Sequence, residues 1–139
     1  MDVNKLLKAL DNEQNELIFN YTSNKLNKIN LEILKELNLS RDTLKEYLIK
    51  LKTYIYVDEI NVLKYGTYLK WICLNNPENL VLSRGAVFCN IKITDNGVYL
   101  ICKGFTNKHF QLKMDEYLIF QKLTNQETVL LNAMDYLEN

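Results

Sequence analysis

The side chains with the most reactive chemistry in this chain are three thiols, Cys73, Cys89 and Cys102, and a single imidazole, His109. A thiolate beside an imidazole is the nucleophile of covalent catalysis, and three thiolates with one imidazole make a tetrahedral zinc set. The spacing argues against both. No Cys-x-x-Cys knuckle occurs, and His109 has no neighbouring serine or cysteine in a recognisable pattern. Each cysteine falls inside an apolar run that reads as strand, where a thiol packs as a small hydrophobe. The carboxylate pairs Asp58-Glu59 and Asp115-Glu116 sit at predicted element ends, where solvation accounts for them. Gly66, Gly85, Gly97 and Gly104 are isolated turn residues and form no phosphate-binding loop. No catalytic residue, metal or cofactor is therefore assigned, and the chain is expected not to be an enzyme.

Cations mixed with aromatic rings are the other chemistry available. The whole chain balances 17 basic against 17 acidic groups, so no global field draws it to nucleic acid or an anionic membrane. The cancellation hides a local bias. Between Leu63 and Met114 stand Lys64, Lys70, Arg84, Lys92, Lys103, Lys108 and Lys113 against only Glu78 and Asp95. If the strands of this region pair as a meander, Phe88, Lys92, Tyr99, Lys103, His109 and Lys113 share one face. Bases can stack on such rings while lysines track phosphates. The competing reading puts Phe88, Tyr99 and Ile101 under a helix, with the lysine stems lying at its rim.

The elements that must position these residues change character near residue 60. Before it, apolar residues recur at helical spacing; from Leu63 to Leu123 they alternate in short runs broken by Gly, Asn and Asp. The expected fold is α+β: a helical region over 1–58, then over 59–139 a small five-stranded antiparallel SH3-like β-barrel or curled sheet closed by a C-terminal helix. In the first half, Val3, Leu6, Leu7 and Leu10 form one amphipathic turn, and Leu17, Ile18, Tyr21 and Leu26 continue a stripe after a cap at Asp11 or Asn12. Leu34, Leu37, Leu44, Leu48, Leu51 and Ile55 mark a face that admits two architectures. A continuous helix from Leu31 to Val57 makes it a heptad seam for a partner helix or a second copy. Alternatively, Asn38-Leu39-Ser40 is a turn and Ser40 caps a new helix over Arg41 to Lys52.

In the second half the strands are Tyr65 to Leu74, Val87 to Thr94, Val98 to Lys103, His109 to Met114 and Tyr117 to Leu123. Val87, Cys89, Ile91 and Ile93 are expected opposite Phe88, Asn90, Lys92 and Thr94, with a hairpin turn at Asp95-Asn96-Gly97. Phe110, Leu112 and Met114 point inward. Thr124 and Glu127 form a capping box for the last helix, whose stripe is Leu130, Ala133, Met134 and Leu137.

Two resemblances accompany these patterns. The segment Ile33 to Leu44 resembles the helix-turn-helix of transcription regulators, which implies Arg41, Thr43, Lys45 and Ile49 on a major groove with Asp42 and Glu46 repelling phosphates. The segments Leu63 to Ile72, Arg84-Gly85 and Met114 to Leu123 resemble small proteins of nucleocytoplasmic large DNA viruses, and a composition rich in Asn, Lys, Ile and Leu agrees with an AT-rich genome. That resemblance implies a setting in the host cytoplasm or the virion. No secretory signal follows Met1 and no apolar run approaches the ~20 residues that span a bilayer. The expected function is a non-enzymatic viral interaction module that binds a protein partner or itself. The alternative is a nucleic-acid-binding accessory protein that uses the basic aromatic sheet face.

Overall fold

A computed structural model describes residues 2–138. Helix α1 (Val3–Asp11) starts at Asp2, whose carboxylate accepts from the backbone N–H groups of Asn4 and Lys5. A 3-10 stretch (Glu13–Asn20) follows, then α2 (Ser23–Lys35) and α3 (Arg41–Lys50). The strands are β1 (Tyr54–Val57), β2 (Tyr68–Cys73), β3 (Ala86–Thr94), β4 (Gly97–Lys103), β5 (His109–Lys113) and β6 (Tyr117–Lys122), and α4 (Asn125–Glu138) ends the chain. The capping box at the start of α4 forms as expected. Thr124 N–H donates to Glu127 Oε1 at 2.9 Å, and Glu127 N–H donates to Thr124 Oγ1 at 3.1 Å.

All strands join one antiparallel sheet in the order β1-β6-β2-β3-β4-β5, open at β1 and β5. Six strands replace the expected five. The additional one is Tyr54–Val57, whose Tyr-Ile-Tyr-Val run favours a pleated surface. It lies before residue 58 and pairs with β6 in the register Tyr54–Lys122 to Val57–Ile119, so the helical region contributes a strand to the sheet.

Of the two architectures for residues 31–57, the helix-turn-helix is the one adopted. Asn38 takes φ 55°, which ends the helical path, and Ser40 Oγ accepts from Thr43 N–H to start α3. The seam is therefore split and folded inward. Leu34, Leu51 and Tyr54 join Ile72 and Phe120 in one cluster, with Leu37, Leu44 and Leu48 packed against it, while Ile55 enters a second cluster with Leu26, Leu123 and Leu130. Asn30 fastens the corner by donating from its amide to the carbonyls of Leu51 and Tyr54, each at 3.2 Å.

Three apolar clusters divide the sheet. Leu69, Phe88, Leu100, Cys102, Leu112 and Ile119 line one side of it. The opposite side of β1-β6-β2 is buried under α2 and α3 through Phe120, Ile72 and Tyr54. Helices α1 and α4 close one end around Ala9, Leu130 and Leu131. On α1 the inward residues are Leu6 and Ala9, so Val3, Leu7 and Leu10 of the expected stripe are exposed; on α4 Leu137 is likewise exposed.

A polar core ties this end to the sheet. Gln121, 1 % exposed, accepts from Lys64 N–H (2.7 Å) and Thr67 Oγ1 (2.9 Å) and donates to the Val62 carbonyl (2.9 Å). Lys64 reaches on to Glu127 at 3.3 Å.

Candidate nucleic-acid interface

Strand register decides which side chains share a face, because partners across an antiparallel pair project to the same side. Lys92 pairs with Tyr99 and Tyr99 with Lys113, giving a row of cation, ring and cation across β3-β4-β5. Asn90, Ile101 and Gln111 form the next row, and Val87, Lys103 and His109 the third. Five of the six residues expected on this face are thus brought together. None of the nine belongs to any of the three apolar clusters, and α2 and α3 lie over the other half of the sheet. Among the described residues no helix covers the face, which has Lys92, His109, Asn90 and Gln111 exposed and Tyr99, Ile101, Lys103 and Lys113 half-buried.

Phe88 departs to the core. It pairs with Cys102, whereas the next paired position, Asn90, meets Ile101, so Cys89 is an extra residue in a β-bulge. The bulge reverses the alternation, placing Ala86 and Phe88 inward before it and Ile91 inward after it. Phe88 is 1 % exposed and carries the Tyr65 ring stacked on it at 5.3 Å.

The reactive side chains are dispersed. Cys102 lies in the core, where burial and the neighbouring Cys89 push its thiol up to about 12. His109 stands on the opposite side of the sheet, and Cys73 ends β2. Among the described residues no three His, Cys, Asp or Glu side chains are grouped to hold a metal ion. Asp58 and Asp115 line a depression of about 530 Å³ with Tyr56, Val98, Met114 and Tyr117, and no thiol or imidazole lines it; Lys113 Nζ lies 4.0 Å from Asp115.

Helix α3 keeps Arg41, Lys45 and Ile49 exposed, but Asp42 and Glu46 share that surface and Glu46 pairs with Lys50 at 3.0 Å. That mixture gives no net attraction for a phosphate backbone.

Sequence reasoning left out a second group of cations on the outer side. Lys70 and Lys122 flank the position of Phe120 on the same side of β2 and β6, and Lys70 Nζ lies 5.2 Å from the centre of the Tyr54 ring. The Lys70 ammonium is held below its ordinary range by burial and then by the charges of Lys50 and Lys122. Alternation of Leu69 with Tyr68 and Lys70 was the available signal for β2. What placed these residues beside Lys122 was the pairing of β2 with β6.

No protein-family model, no curated protein and no solved structure matches the chain. Among the described residues no helix is long and apolar enough to cross a membrane.

Proposed function

We propose that this chain is a non-enzymatic interaction module that binds single-stranded nucleic acid on the uncovered face of β3-β4-β5. One observation carries the reading: register places Lys92, Tyr99 and Lys113 in one row and Lys103 with His109 in another, on a face no helix covers. Half-buried Tyr99 supplies a stacking ring and the lysines supply phosphate contacts. A partner reading based on the leucine seam has less to support it, because Leu34 and Leu51 are fully buried within the chain. The path β2-β3-β4-β5, a 3-10 turn at Met114–Glu116, and the return of β6 beside β2 support the SH3-like reading of the sheet. The viral setting, in host cytoplasm or virion, rests on the sequence resemblance.

Fluorescence anisotropy with a labelled 15-nucleotide oligo-dT tests the proposal. Three phosphate contacts through Lys92, Lys103 and Lys113 set a minimum log-log salt slope of about −2, a roughly 20-fold loss of affinity between 50 and 200 mM salt. Replacing Tyr99→Ala weakens binding roughly tenfold by removing a stacked base. Absence of binding at 50 mM salt, or equal binding to duplex, refutes the reading.

A further inference from the structure

The third row of the open face does not stop at β3. Val87, which pairs with Lys103, also pairs with Tyr68 of β2, and the adjoining register Leu69–Gln121 sets Tyr68 beside Lys122 of β6. Lys122 in turn pairs with Tyr54 of β1. One row of side chains, His109, Lys103, Val87, Tyr68, Lys122 and Tyr54, therefore crosses all six strands, about 24 Å at ~4.8 Å per strand. Tyr54 is 5 % exposed, and the row ends there under the Lys70 ammonium, so the accessible terminus is cationic. Lys50, at the end of α3, is paired with Glu46 at 3.0 Å, so the cations at this terminus are Lys70 and Lys122. Among the described residues neither Lys70 nor Lys122 has a carboxylate within ion-pair distance. At the middle of the row the Tyr68 ring lies against the bare backbone of Gly85, where a Cβ would stand 2.3 Å from Tyr68 Cε2.

We propose that a single strand of nucleic acid held on the β3-β4-β5 face continues along this row, from Lys103 past the Tyr68 ring to a phosphate seat formed by Lys70 and Lys122 at the edge of the helix-covered half. The proposal rests on the reading above that the β3-β4-β5 face binds nucleic acid, and it adds direction and extent. A path of this length fits the short end of the roughly 4–16 nucleotide sites known for single-strand-binding sheets. Charge complementarity selects the occupant, since Lys70 and Lys122 share one side of the sheet with no carboxylate of the described residues in ion-pair distance, and a phosphate neutralises them.

The test is the salt dependence of the same 15-nucleotide probe with three proteins: the natural chain, Lys70→Gln/Lys122→Gln, and Lys92→Gln/Lys113→Gln. Five lysine contacts give a slope near −3.5, about a 100-fold loss between 50 and 200 mM salt, and removal of Lys70 and Lys122 returns it to about −2. Lys70→Arg/Lys122→Arg restores the steep slope, and circular dichroism confirms that each variant is folded. If Lys70→Gln/Lys122→Gln leaves the slope unchanged while Lys92→Gln/Lys113→Gln lowers it, the extended path is wrong and the face reading survives. If the natural chain ignores the oligonucleotide and binds a poly-glutamate peptide instead, both readings fail in favour of an acidic protein partner.

Discussion

Gly85 and Gly66 provide a paired test of how the backbone seats Tyr68. Both take positive φ, 101° and 83° respectively, a region that costs an L-residue about 1–2 kcal/mol. Their surroundings differ. A Cβ on Gly66 meets nothing within 4 Å, whereas one on Gly85 falls 2.3 Å from Tyr68 Cε2, 2.9 Å from Tyr68 Cδ2 and 2.7 Å from the Leu69 carbonyl oxygen. The ring can rotate, but the carbonyl belongs to a paired strand, so the backbone must shift. Overpacking of that kind adds about 1–3 kcal/mol. Gly66→Ala is thus expected to cost about 1–2 kcal/mol and Gly85→Ala about 2–5 kcal/mol. With an unfolding entropy near 2.1 cal/mol/K per residue, a chain of 139 residues loses about 3 °C of Tm per kcal/mol. Thermal melts followed by circular dichroism should show drops of about 3–7 °C for Gly66→Ala and about 7–17 °C for Gly85→Ala. Any gain from restricting the unfolded chain is common to both and cancels in the comparison. Equal losses would refute the claim that Tyr68 and the Leu69 carbonyl, rather than the dihedral angle, demand glycine at 85.

Two further outcomes concern buried groups. Lys64→Met leaves the Glu127 Oε2 carboxylate oxygen, in a residue 5 % exposed, without its cation, and is expected to cost about 3–5 kcal/mol by urea denaturation. Adding Glu127→Gln should recover a substantial part, and strict additivity of the two losses would contradict a coupled pair. Cys102 has its native pKa raised from an ordinary 9.0 to about 12, so the native state holds its proton where the unfolded state has lost it. Its contribution is fully present below pH 9 and lost as pH rises toward 12. Tyr54, Tyr56 and Tyr117 are raised chiefly by burial and act with the same sign. Urea midpoints measured from pH 8 to 11 should fall more steeply for the natural chain than for Cys102→Ala, and parallel curves would rule out the thiol as a contributor.

Alternation made β4, β5 and the last helix legible, because each has one buried face and a local stop signal. Tyr54–Val57 was obscured by its neighbours: Ile55 lies seven residues after Leu48, so a heptad count absorbs it. The left-handed Asn38 and the capping Ser40, both readable, are what interrupt that count. Phe88 was misplaced for a different reason. A bulge adds a residue to one strand only, and its position depends on the partner strand. In β3 the extra residue, Cys89, is apolar like Val87 and Phe88 before it, so it stands out by no change of composition. The site shows the same division: Lys92, Tyr99, Lys103, His109 and Lys113 follow from consecutive strands pairing in turn, whereas Tyr68 and Lys122 meet only because β6 returns to β2.

That return also explains why one sheet carries both a core and an open face. β1, β6 and β2 are buried on two sides, and their sequences show it in runs such as Tyr54–Val57 and Tyr117–Phe120, apolar on both parities. β3, β4 and β5 are buried on one side, and their second parity is Asn90, Lys92, Lys103, Gln111 and Lys113 around Tyr99 and Ile101. Solubility alone is served by charges of either sign. Yet every charged side chain in those three rows is a lysine, with His109 beside them; the acidic groups Asp95 and Asp115 stand beyond the strands, Asp115 4.0 Å from Lys113. One sign of charge around the half-buried Tyr99 ring is what the proposed binding of a single strand, an anion with flat, stackable groups, requires.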